Sequence, residues 1–251
     1  MSSPFDLSGR TAVVTGGGRG LGLGISNALL AAGADVVVLQ RKALPAGLSE
    51  RAASVGRAVH LYQVDLADRG AIAATAQQVL SEHRVDILVN NAGTQDRFPA
   101  VDFPLEAWDR VIDVNLSAVF QLCQLFGRPM LERRDGKIIN LASLLSFQGG
   151  LTVPAYAASK GAVAQLTKSL CNEWSSLGVN VNAVAPGYMA TDMNAALLAD
   201  PVRLDQLSVR IPAGRWGQPE DIGNVVVFLA SPASAYVHGQ VLAVDGGWMA
   251  R

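Results

Sequence analysis

Residues Thr11 to Gly22 read T-A-V-V-T-G-G-G-R-G-L-G, and this stretch decides the fold. Thr11–Thr15 is a run of β-branched and small apolar residues, the composition of a strand covered on both faces. The glycines that follow permit a tight turn and remove the Cβ atoms that would keep a ligand from the backbone. From Gly20 to Ala32 small and apolar residues recur at helical spacing. A strand, a glycine turn and a helix in that order aim free N–H groups and the positive end of a helix dipole at the turn. That is a cradle for a pyrophosphate. The spacing is T-G-x-x-x-G-x-G over Thr15, Gly16, Gly20 and Gly22, with Gly18, Arg19 and Leu21 between the fixed positions.

The alternation continues to the end of the chain. Strand-like runs follow at Val36–Leu39, Val59–Gln63, Asp86–Asn90, Lys137–Ala142, Asn180–Val184 and Gln240–Val244. Helical patterns separate them near Leu44–Val55 and over Arg69–Glu82, Leu105–Leu131, Ala155–Ser176 and Asp221–Ala230. Apolar strands alternating with helices predict an α/β chain with a doubly wound parallel sheet, a Rossmann fold with helices on both faces. No linker or repeat interrupts the series, so one domain over residues 1–251 is expected. Pro186–Gln218 is the least regular stretch, with prolines at 186, 201 and 212, and is expected to carry a lid or substrate loop.

Composition narrows the function classes. Half of the 251 residues are hydrophobic, 16% are charged and the formal net charge is −1. No basic field draws nucleic acid or an anionic membrane. No apolar run approaches a membrane span, and the opening MSSPFDLSGRTAVVTGG is not a signal peptide. Cys123 and Cys171 lack metal-type spacing and read as reduced thiols of a cytoplasmic protein. His60, His83 and His238 are scattered without ligand spacing, so no metal is expected.

The chemistry resides at the carboxyl ends of the strands, where open α/β sheets bind ligands. Asp65 and Leu66 follow the third strand, Asn90-Asn91-Ala92-Gly93 ends the fourth, and Pro186-Gly187 follows the sixth. Tyr156 and Lys160, four residues apart, share one face of a helix. An ammonium beside a phenol favours phenolate, so Tyr156 is expected below its ordinary pKa and fit to exchange a proton with an alcohol or ketone oxygen. Ser143 ends the fifth strand and its hydroxyl can bond a substrate oxygen. Asn115 sits inside a helical pattern, where asparagine is a poor choice and needs a local reason.

Taken together, the glycine turn, NNAG (Asn90–Gly93), Ser143, Tyr156-x-x-x-Lys160, Pro186-Gly187 and Thr191 resemble the short-chain dehydrogenase/reductase family across nearly the whole chain. The resemblance implies an NAD(P)-dependent oxidoreductase acting on CH–OH groups, with Asn115, Ser143, Tyr156 and Lys160 as the catalytic tetrad. It implies that Lys160 holds the nicotinamide ribose and that Asn115 holds a water leading to solvent. It places the dinucleotide against Gly16, Gly18, Arg19, Gly20, Leu21, Gly22, Gln40, Arg41, Asp65, Leu66, Asn91, Ala92, Gly93, Tyr156, Lys160, Pro186, Gly187, Met189 and Thr191. In family members that prefer NAD, an acidic residue follows the second strand. Here that position is Gln40, followed by Arg41 and Lys42, so NAD and NADP both remain open.

Four stretches, Leu145–Gly150, Ala185–Thr191, Ile211–Gly217 and Val244–Arg251, are similar to family members that act on sugar acids such as 2-dehydro-3-deoxy-D-gluconate or 2-deoxy-D-gluconate. The substrate residues implied are Arg97, Ser143, Gln148, Tyr156 and Tyr188, with Arg97 as the cation for a small-molecule carboxylate. The subfamily has an arginine pair there; this chain has Asp96 at the first position, which weakens an anion site. Arg215 is expected to tie down the lid loop. The family also implies a homotetramer. Two alternatives stand beside this: a carbonyl reductase of the 3-oxoacyl carrier-protein reductase type, and a cofactor-binding regulator without turnover.

Overall fold

The computed structural model describes residues 3–191, 194, 197 and 199–251. Seven parallel strands form one sheet: β1 (Thr11–Thr15), β2 (Asp35–Gln40), β3 (Val59–Gln63), β4 (Ile87–Asn90), β5 (Gly136–Leu141), β6 (Val179–Pro186) and β7 (Val241–Val244). Their spatial order is β3-β2-β1-β4-β5-β6-β7. The order reverses between β1 and β4, the switch point where such sheets open a crevice. Among the described residues the α-helices are α1 (Gly20–Ala31), α2 (Ala46–Ser54), α3 (Arg69–Glu82), α4 (Leu105–Ile112), α5 (Ala118–Arg133), α6 (Pro154–Trp174), α7 (Pro201–Ser208) and α8 (Pro219–Ala230).

Strand alternation divides the core into two layers. Val36 and Val38 of β2 point to one face, with Leu29, Leu30 and Val226 of α1 and α8. Val37 and Leu39 point to the other, with Val79, Leu122 and Phe126 of α3 and α5. Both faces are dry, which is why the strands read as unbroken apolar runs.

The structure corrects the sequence in two places. The predicted Leu105–Leu131 helix is two helices, α4 and α5, joined by a π-turn at Asp113–Ser117. The insertion is held by Asn115, described below. The irregular stretch also contains α7, a short helix of weak apolar patterning that the sequence did not announce; part of that stretch lies outside the described residues. Elsewhere the predicted boundaries agree to within about two residues.

A charge cluster closes the amino ends of the strands, opposite the crevice. Asp86 is almost fully buried and accepts from Arg10 at 3.3 Å, Arg84 at 3.0 Å and the Thr11 N–H at 3.1 Å. Asp135 pairs with Arg10 and Arg84. At the β3 edge, His60 and His83 prove to be neighbours, their rings 4.7 Å apart, with Tyr62 Oη between Glu82 and His83 Nε2.

Candidate active site

The glycine turn is built for close approach. A Cβ on Gly22 would lie 2.0 Å from the Gly16 carbonyl oxygen and 2.6 Å from Asn91 Nδ2, so no larger residue fits. A Cβ on Gly18 would strike the Gln40 carboxamide at 2.6 Å. Thr191 stands across the opening, its Cβ 3.8 Å from where a Gly20 side chain would begin. The first turn of α1 contains no acidic residue, and its N-cap residue, Arg19, makes no side-chain cap. The N–H groups of that turn therefore remain for an anion, and the residues present fit a dinucleotide pyrophosphate.

Neighbouring strands lock this turn. Asn91 Nδ2 donates to the Thr15 carbonyl at 2.9 Å, and the Ala92 N–H donates to Thr15 Oγ1 at 2.9 Å. Asn90 faces the other way and donates to Asn140 Oδ1 at 2.9 Å, stapling β4 to β5. Gln40 is fully engaged: Oε1 accepts from the Gly18 N–H at 2.8 Å, and Nε2 donates to the Lys42 and Ala43 carbonyls. Arg41 is exposed and 3.5 Å from Asp65. Asp65 does not cap α3; Asp68 does, accepting from the Ala71 N–H at 2.9 Å. The Leu66 side chain is buried with Ile72 and Ala76, which leaves its backbone for any ligand contact. Met189 is buried too, against Gly217, and serves packing. Pro186 and Gly187 end β6, Gly187 donating its N–H to the Val244 carbonyl.

Asn115, Ser143, Tyr156 and Lys160 converge beside the turn. Lys160 Nζ donates to the Leu141 carbonyl at 2.6 Å and lies 5.7 Å from the centroid of the Tyr156 ring. A Cβ on Gly93 would be 3.7 Å from that ammonium, so β4 and α6 meet here. Asn115 is fully buried and treats Thr94 as a strand would: Oδ1 accepts the Thr94 N–H at 2.8 Å, and Nδ2 donates to the Thr94 carbonyl at 2.9 Å. This explains an asparagine inside a helix, since the π-turn swings its side chain onto the β4 loop. The carboxamide is thus a brace between elements.

One electrostatic expectation is reversed. Burial lowers the Lys160 pKa to about 8. Burial likewise raises the Tyr156 phenol above its ordinary value, with Ser143 pulling the other way through a hydrogen bond. At the phenol desolvation outweighs the Ser143 hydrogen bond, and at the amine desolvation is the cause, since each charged form loses its water.

The outer residues are more dispersed. Ser143 ends the β5 segment and caps a one-turn helix, its Oγ accepting from the Leu145 N–H at 3.2 Å. Gln148 and Arg97 are exposed. Tyr188 packs edge-on to Trp216 at 5.4 Å and against Trp248 at 4.6 Å, under α7. Arg215 pairs with Asp221 through both terminal nitrogens, at 2.7 and 2.9 Å, and anchors the loop as expected. Asp96 is bound by Arg110 of α4 at 2.7 Å, a partner the sequence did not reveal. Ser146 and Ser159 were also missed; a serine beside a turn or inside a helix carries no distinguishing signal.

A phosphate cradle at the switch point of a parallel sheet, with a half-buried tyrosine beside a buried lysine, defines a nicotinamide-dependent oxidoreductase. A family model described as enoyl-(acyl carrier protein) reductase matches residues 16–249. The 2-dehydro-3-deoxy-D-gluconate 5-dehydrogenase of Bacillus subtilis (strain 168) is 51% identical over 247 residues, covering 98% of this chain and 97% of its own. A Beutenbergia cavernae structure holding NADP at low occupancy superposes with a TM-score of 0.96, at 49% identity, over 99% of this chain and 100% of that one. A gluconate 5-dehydrogenase from Burkholderia cenocepacia J2315, in complex with NADP and tartrate, gives a TM-score of 0.94 at 41% identity, over 99% and 98% of the two chains. The chain belongs to the short-chain dehydrogenase/reductase family. It is an oxidoreductase that uses NAD(P).

Proposed function

We propose that this single-domain protein interconverts a secondary alcohol and a ketone on a sugar acid of the gluconate type, with Tyr156 as proton donor and acceptor. The observation that carries it is the convergence of Tyr156, Lys160 and Ser143 beside the glycine turn, in a chain about half identical to a 2-dehydro-3-deoxy-D-gluconate 5-dehydrogenase. Bound nicotinamide supplies the hydride acceptor or donor. Ser143 orients the substrate oxygen by hydrogen bonding, and Tyr156 takes or returns the hydroxyl proton. Lys160, its pKa lowered to about 8 yet still cationic at neutral pH, offsets the negative charge that grows on the phenol. Asn115 holds the β4 loop against α6. The cofactor is held by the turn residues Gly16–Gly22, by Asn91–Gly93 and by Thr191.

Of the two cofactor forms, NADP(H) has the better support. The end of β2 has no carboxylate to repel a 2′-phosphate, and the Gln40 carboxamide is spent on the turn. Arg19, Arg41 and Lys42 stand exposed around it. For the substrate carboxylate, Arg97 is the cation. The opposing charge of Asp96 is neutralised by Arg110, which removes the objection that Asp96 raises against an anion site. A cytoplasmic homotetramer completes the proposal. It is supported by two unpaired cysteines and by exposed Leu105 and Phe120 on the α4–α5 face.

Absorbance at 340 nm with D-gluconate, 2-deoxy-D-gluconate, 2-dehydro-3-deoxy-D-gluconate, neutral polyols and 3-oxoacyl thioesters, each with NAD and NADP cofactors, tests the proposal. Turnover is expected with a sugar acid; turnover confined to the thioesters would transfer the enzyme to the reductase alternative. Tyr156→Phe is expected to lower kcat by roughly 10²- to 10⁴-fold with cofactor affinity retained. Arg97→Ala is expected to raise KM on the order of tenfold for acids alone; an equal change for polyols removes Arg97 as the anchor.

A further inference from the structure

Two serine hydroxyls reach main-chain oxygens of the Tyr–Lys pair. Beyond the helical ladder of α6, the Tyr156 carbonyl accepts from Ser159 Oγ at 2.8 Å, and the Lys160 carbonyl accepts from Ser146 Oγ at 2.7 Å. Each serine is tied at its other side to a different member of the tetrad. Ser159 Oγ accepts from Asn115 Nδ2 at 3.1 Å, and Ser146 Oγ accepts from the Ser143 N–H at 3.3 Å.

A hydroxyl has one proton to give. Because Ser159 spends its proton on the Tyr156 carbonyl, Asn115 has to present its NH₂ group there. That leaves Oδ1 for the Thr94 N–H, which is the bond observed. Because Ser146 spends its proton on the Lys160 carbonyl, it can only accept from Ser143. The donor directions therefore form one consistent scheme across the π-turn, the turn after β5 and helix α6. Between that turn and α6, residues Phe147 to Thr152 are exposed and supply little bracing of their own.

We propose that Ser146 and Ser159 are positioning residues that hold the four catalytic groups in one hydrogen-bonded frame: Asn115 to Tyr156 through Ser159, and Ser143 to Lys160 through Ser146. This rests on the roles proposed above for the tetrad. Release of the Ser146 link lets the Ser143 turn drift from Tyr156, and small misplacements of reacting groups are costly. Since the Ser143 hydrogen bond favours phenolate, its loosening also moves the Tyr156 ionisation upward.

Ser146→Ala is the first test, read with NADP and whichever acid of the panel above turns over fastest. A fall in kcat of about tenfold is expected, with KM and NADP affinity within about twofold. The acidic limb of the oxidation pH profile moves to higher pH, and Ser146→Thr, which keeps the hydroxyl, restores both. A kcat loss that only follows the folded fraction, with the pH profile unmoved, overturns the proposal. Ser159 is fully buried, so Ser159→Ala serves as confirmation if it folds; half-buried Ser146 decides the matter without it. Full activity in Tyr156→Phe removes the tetrad itself. An inert Tyr156→Phe beside an unchanged Ser146→Ala removes only the frame.

Discussion

Lys160 illustrates the stability given up for chemistry at a single residue. Its pKa is depressed from 10.5 to about 8, so the folded protein resists protonation that the unfolded chain accepts. The sign follows from linkage: stability is greatest above about pH 10.5 and declines as the pH falls through about 8. The cost at neutral pH is about 3 kcal/mol by the ordinary conversion, less the bond to the Leu141 carbonyl. Lys160→Met is therefore expected to abolish turnover yet stabilise the cofactor-free protein by about 2 kcal/mol, seen as a higher Tm at pH 7. An unchanged or lower Tm would show that the ammonium is better compensated than its burial implies. The Tyr–Lys spacing was legible because residues four apart on a helix must be neighbours. The direction of the Tyr156 shift was not, because burial is decided by β4, β5 and the loop at Gly93, all remote in sequence.

At the scale of elements, the π-turn is the feature with the clearest energetic signature. Asn115→Ala removes the carboxamide that pairs with both backbone groups of Thr94, and Asn115 has no access to water that could replace it. Urea denaturation is expected to show a loss of about 2–4 kcal/mol, with a concurrent fall in kcat. A loss below about 1 kcal/mol would mean that Thr94 finds other partners. Sequence periodicity ran through this turn without a break, because one inserted residue shifts the apolar stripe too little to notice over a single turn. The strands were easier: a parallel strand covered on both faces is a short apolar run whichever neighbours it acquires. Helix α7 was missed for the opposite reason, since its apolar residues Leu204 and Leu207 are few and serve mainly to cover Trp216 and Trp248.

On the scale of the whole molecule, the two rims of the sheet divide labour. The carboxyl rim carries the glycine turn and the tetrad; the amino rim carries Arg10, Arg84, Arg133, Asp86 and Asp135. Asp86→Asn keeps the side chain's shape and the Thr11 bond but removes the buried charge that faces Arg10, Arg84 and Arg133, leaving Asp135 beside the first two. It is expected to lower stability by about 2 kcal/mol while kcat per folded molecule stays unchanged. A change in kcat at full folding would couple the rims. None of this cluster was visible in the sequence, where Arg10 lies 125 residues from Asp135 and only three-dimensional closure joins them.

The contact between Asn91 and Thr15 spans 76 positions of chain. Strand β1 cannot gain its neighbour β4 until α1, β2, α2, β3 and α3 have been looped out, so the phosphate cradle is closed by a contact of high contact order. Refolding of this protein is accordingly expected to be slow for its size, with dinucleotide binding returning at the late pairing of β1 and β4 rather than with the early gain of helix.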